Sequence, residues 1–143
     1  MRVVVLTAVV LIMGILFTKP IETSAHGTDP RGGHTDEQMK KLHAMMPMFS
    51  IASAELESAL EKGDAAAAKA QADKILAAAP DLKKSKPHKN IKQRKIFVEL
   101  ATKFEKKVTS TVDLIKKDDL SGAKAAFKKV EEVCAACHAK FRD

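Results

Sequence analysis

Apolar residues along this chain return at alternating intervals of three and four. Met39, Leu42, Met46, Phe49, Leu56 and Leu60 recur with Ser53 in the same phase, so they share one helical face. Thr35 followed by Gln38 has the form of a capping box, and Gly63-Asp64 supplies a stop and the next N-cap. A second stripe runs Ala68, Ala72, Ile75 and Ala79 and is expected to end before Pro80. A third is Phe97, Ala101, Phe104, Val108, Val112 and Ile115. The fourth, capped by Asp119, is Leu120, Ala123, Phe127, Val130, Cys134, Cys137 and Phe141. No stretch alternates long enough for a strand. The spacing predicts an all-α protein, an antiparallel four-helix bundle running up-down-up-down.

The pattern is faintly doubled. A shift of 55 residues lays Phe49 on Phe104, Leu60 on Ile115, Lys62 on Lys117, Asp64 on Asp119 and Lys69 on Lys124. Each half is then a helical hairpin, a likeness that shared architecture explains as well as duplication does. The hairpins are joined by "PDLKKSKPHKN", the longest connection. The chain has neither Trp nor Tyr and only 6 Gly, while Ala and Lys abound, a composition that favours helix throughout.

The first residues change the picture. "MRVVVLTAVVLIMGILFTKPIETSAHG" places one cation at Arg2 ahead of an apolar run from Val3 to Phe17, then Thr23-Ser24-Ala25 as a small-residue cleavage site. This is the layout of a secretory signal peptide, and the run is short for a membrane span; an uncleaved N-terminal anchor is the alternative. The expected organisation is a leader over 1–25 and one domain over 26–143, in the periplasm. Setting aside Arg2, Lys19 and Glu22, the 25 basic and 18 acidic side chains become 23 and 17, and the net charge falls from +7 to +6. Secretion argues against nucleic acid as the reason for that charge; an acidic protein or an anionic surface fits better.

Candidate chemistry is concentrated at the end of the chain, in "CAACHAKFRD". Both cysteines of the protein, Cys134 and Cys137, are there, with His138 directly behind. On the fourth helix the two thiols prolong the core stripe, and at i and i+3 they can bond to two sites on one flat ligand. C-x-x-C-H is the attachment signature of c-type haem, in which two thioethers fix the macrocycle and the histidine binds iron. A dithiol redox motif would sit in a strand–helix setting, and a structural zinc would need a fourth ligand. Neither is found in the sequence. The expected cofactor is one haem c, covalent through Cys134 and Cys137.

With this motif, the chain resembles the cytochromes c′ and their low-spin relatives, secreted monohaem four-helix bundles. The resemblance covers the mature chain in architecture, and its specific residues are "CAACHAKFR" and the preceding "KKDDLSGAKAAF". Phe141 and Arg142 stand where many members carry an aromatic and an arginine, which implies that Arg142 lies near the proximal haem face. A solvated arginine favoured by the helix dipole is the plain alternative.

In that family the sixth iron position, on the first helix, sets the function. An apolar residue leaves it open to gases such as NO and CO, whereas a methionine closes it and makes an electron carrier. The candidates fall in "MKKLHAMMPMF", residues 39–49. The family's distal spacing leads to Met46, on the core stripe, so Met46 is expected as ligand beside His138. His43 is the main rival, Met39 and Met45 are weaker, and core packing alone is the common use of methionine. Pro47 removes an N–H and crowds the carbonyl of His43, at a cost of roughly 3 kcal/mol or a kink. The stripe keeps its phase across it, which predicts one kinked helix. Leu42 stands where some members have a basic residue, so a propionate contact from that position is not expected.

The other histidines say less. His26 and His34 lie in "HGTDPRGGH", where solvated rings are expected and N-terminal copper binding is the functional alternative. His88 lies in "KKSKPHKNIKQRK", which has seven Lys or Arg and no acid: a solvated loop and helix start, or a docking surface for an acidic redox partner. No catalytic constellation is present, so no enzyme is expected. The leading expectation is an electron-transfer cytochrome, with a five-coordinate protein binding NO or CO as the alternative. A haem-free helical interaction module would require the terminal motif to be coincidental. Partners are a redox protein with an acidic surface, small gases if the sixth position is open, and in one arrangement a second copy of the chain.

Overall fold

The computed structural model describes residues 33–142, with side chains from Glu37 onward. The expected leader over 1–25 and the side chains of His26 and His34 lie outside them. Four α-helices follow in order: α1 (Gly33–Lys62), α2 (Ala65–Lys84), α3 (Arg94–Lys116) and α4 (Leu120–Phe141), with a short 3-10 turn, Ile91–Gln93, leading into α3. No strand occurs among the described residues. Neighbours in sequence pack against one another, α1 on α2, α2 on α3 and α3 on α4, and α4 returns to α1 along the sparsest seam. This is the antiparallel bundle that the spacing predicts. No described helix is long and apolar enough to cross a membrane.

The stripes are the core. Leu56, Ala68, Ala72, Ile75, Ala79, Val108 and Ala123 are entirely removed from solvent, and Phe49 meets Phe104 edge-on with ring centroids 5.3 Å apart. Both hairpins turn in the same way. Gly63 and Asp118 take left-handed backbone, at φ 74° and 59°. Asp64 and Asp119 then accept from the amides of Ala67 and Gly122, at 2.9 and 2.8 Å. The 55-residue shift therefore superposes two equivalent turns.

Two helix ends differ from the sequence expectation. α1 is already helical at Gly33, so Thr35 lies inside its first turn, where the nearby Glu37 suits the positive end of the helix dipole. α2 passes through Pro80 to Lys84. Pro80 is exposed, and continuing the helix buries Leu82 in phase with Ile75 and Ala79, which offsets the missing backbone bond. α1 likewise runs through Pro47 as one helix.

Candidate cofactor site

The sparse seam between α1 and α4 encloses a cavity of about 830 Å³. That is within the roughly 300–1,000 Å³ usual for small-molecule and cofactor sites. Its walls include Leu42, Met46 and Phe49 from α1 and Phe97, Ala101 and Phe104 from α3. Val130, Cys134, Cys137, His138 and Phe141 come from α4. Arg142, just beyond that helix, is also part of the lining. Every site residue expected from the sequence therefore borders one space.

α4 is unbroken through the motif. Val130, Val133 and Phe141 are buried, and Phe141 packs edge-on against Phe97 of α3 at 5.3 Å. Cys134 is one residue past Val133, about 100° further round the helix, and Cys137 follows nearly a turn later. The thiols are half-buried cavity-wall groups, unjoined and less enclosed than the stripe implies. Val133, absent from the predicted stripe, holds the fully buried position instead.

Electrostatics distinguish the site from a thiol redox centre. Burial, with smaller contributions from Cys137 and Glu131, pushes the Cys134 thiol up from 9.0 to about 11. Burial also raises Cys137. Reactive redox cysteines require the opposite shift. His138 is shifted down, first by partial desolvation and then by the Arg142 guanidinium. It is thus neutral at pH 7, with a lone pair free for a metal. The amide of Arg142 donates to the His138 carbonyl at 3.0 Å, which closes the helix. Among the described residues, no three His, Cys, Asp or Glu side chains group as a metal site.

The residues fit a flat apolar macrocycle. Two thiols on adjacent turns and a neutral imidazole face an apolar cavity, with a guanidinium at its edge.

Sequence reasoning missed His88 as a wall residue. It lies on the connection between α2 and α3, yet it borders the cavity with His43 of α1. Pro87 beside it is fully buried, and the Asn90 amide donates to the Lys140 carbonyl at 2.6 Å. The connection is thereby pinned to the end of α4. The sequence held one signal, two prolines in a charged segment, but nothing that pointed inward. The cationic stretch is also divided. Lys83 pairs with Glu105 at 2.7 Å, Lys84 with Asp81 at 3.3 Å, and Arg94 donates to the carbonyls of Ser85 and Lys83. Lys86, Lys89, Lys92 and Lys95 have no ion pair among the described residues.

A helical bundle that walls an apolar cavity with a C-x-x-C-H run defines a class, the helix-bundle haem proteins of the c type. Residues 77–142, from the last turns of α2 to the end of α4, match the family model for Cytochrome C'. With the four-helix fold, this match supports assignment to the cytochrome c′ family. No curated protein matches the chain. Members of the family are non-catalytic carriers of electrons or gases, which is consistent with a chain that is not an enzyme. Family association also agrees with a secreted protein.

Proposed function

We propose that the chain is a periplasmic cytochrome c′ that holds one covalent haem in the α1–α4 cavity with its sixth position open to NO or CO. One observation carries the reading: Cys134, Cys137 and His138 all border a single apolar cavity of about 830 Å³. When bound, the group supplies an iron centre that can take up a diatomic ligand or an electron. The protein's part is attachment, support and exclusion of water. Cys134 and Cys137 would hold the macrocycle covalently, each through a thioether formed by addition of its S–H to a vinyl group. His138 would offer its neutral ring as a base for the iron, and Arg142 lends positive charge on its side of the cavity. Met46, Leu42 and Phe49 supply the apolar part of the α1 wall.

Family membership favours the open position over the expected electron carrier. One observation keeps the second reading: Met46 is half-buried on the same cavity wall, where a thioether could close the site. The unpaired Lys86, Lys89, Lys92 and Lys95 beside the cavity-lining His88 would suit an acidic redox partner in that case.

The test is mass and colour, then spectra. Produced with a c-type maturation system, the mature protein gains the mass of one haem and keeps its colour in acid-acetone. Cys134→Ala with Cys137→Ala abolishes both, and His138→Ala loses the normal reduced spectrum. Colour extracted by acid from the unmutated protein would refute covalent attachment. Prompt CO binding by the reduced protein supports the open position. A low-spin spectrum with the near-infrared band of thioether ligation, abolished by Met46→Ala, establishes the electron carrier instead.

A further inference from the structure

His43 of α1 and His88 of the α2–α3 connection meet at the cavity wall. Their Nε2 atoms are 2.6 Å apart and the rings stack, with centroids 4.5 Å apart and planes inclined by 23°. A hydrogen bond between two imidazoles needs one N–H donor and one lone-pair acceptor. If His43 donates, its Nε2 carries the proton; if it accepts, its Nε2 lone pair is occupied. Either tautomer removes the ring nitrogen with the longest reach from the helix.

The partners differ in how firmly they are held. His88 is flanked by the buried Pro87 and by Asn90, whose side chain bonds the end of α4. His43 lies in the turn of α1 that Pro47 deprives of a backbone bond, since Pro47 has no N–H to give the His43 carbonyl. A ring that borders the cavity from a loosened turn is a ready iron ligand unless something else engages it.

We infer that His88 is a positioning residue that holds His43 Nε2 away from the iron and so keeps the sixth position open. The inference rests on the haem-cavity reading above. It adds that the open position is maintained by a side chain from outside the bundle's helices, in addition to the apolar residues of α1.

The experiment uses the haem-loaded protein and reads ferric spin state by visible and electron paramagnetic resonance spectra, with CO association to the reduced form. His88→Leu should convert high-spin five-coordinate protein toward a low-spin form with two nitrogen ligands and slow CO association by about two- to tenfold, the range one hydrogen bond commands. His88→Gln, which can still bond His43, should stay high-spin. His43→Leu combined with His88→Leu should return to high-spin, which separates ligand capture from damage to the fold. A high-spin His88→Leu protein with unchanged CO association would overturn the inference and leave the gas-binding reading standing. If the unmutated protein is instead low-spin with a thioether ligand, the gas-binding reading fails. This inference, which requires an open sixth position, fails with it. Two nitrogen ligands in the unmutated protein would sink both.

Discussion

Cys134 shows how far one step around a helix alters a side chain. Its neighbour Val133 is 4% exposed, whereas Cys134 keeps a face on the cavity and is only partly desolvated. In the haem-free protein its thiol pKa rises from 9.0 to about 11, mainly through burial. A raised thiol pKa means that the folded state holds its proton more tightly than the unfolded chain. The associated stability is fully present below pH 9 and is lost as pH climbs from 9 toward 11. With allowance for residual solvent, the loss is about 2 kcal/mol. Urea melts of the haem-free protein between pH 8 and 11 should show it, and Cys134→Ala should flatten it. The haem-loaded protein, whose sulfur would be a thioether with no proton to lose, should not share it. The neighbouring His138 shifts the other way, toward its neutral form, the form that would ligate iron.

At the scale of elements, helix ends are set by a few side chains. Asp64 and Asp119 each satisfy one orphan amide at the start of a helix, so Asp64→Ala should cost about 1 kcal/mol by thermal or urea unfolding. Gly122 makes the second cap more sensitive. Glycine inside a helix usually gives way to alanine with a gain of roughly 0.5–1 kcal/mol. Here an added Cβ would collide with the Asp119 carboxylate, the group that caps the helix. Gly122→Ala should therefore destabilise rather than stabilise, and Gly122→Ala made in Asp119→Ala should recover the ordinary gain. Pro80 follows the same logic from the other side: tertiary burial of Leu82 carries α2 past a residue that would stop it alone. Such burial stabilises by about 1.5–3 kcal/mol, enough to compete with the proline penalty.

At the scale of the molecule, the bundle is closed on three seams and thin on the fourth. The cavity occupies the space where α1 and α4 would otherwise interdigitate, so a haem held there would complete the packing. Hydrogen exchange should find α1 and the last turns of α4 least protected in the haem-free protein and strongly protected once haem is attached, with α3 changing least. Equal protection of α1 with and without haem would contradict a structural role for the group. Much of this architecture was written in the chain. A buried face must recur with the helical period, so the stripes specified four helices, and the paired Asp64 and Asp119 specified two like turns. The spacing of Cys134, Cys137 and His138 was equally legible, because i, i+3 and i+4 on a helix are neighbours whatever surrounds them. Other features depended on residues distant in sequence. Pro80 ended the predicted helix because a local rule cannot weigh the burial of Leu82. His88 read as loop because its partners, His43 and the end of α4, lie 45 or more residues away. Local periodicity determined which faces turn inward; only the packing of α1 against α4 decided how much room they leave, and which side chains share it.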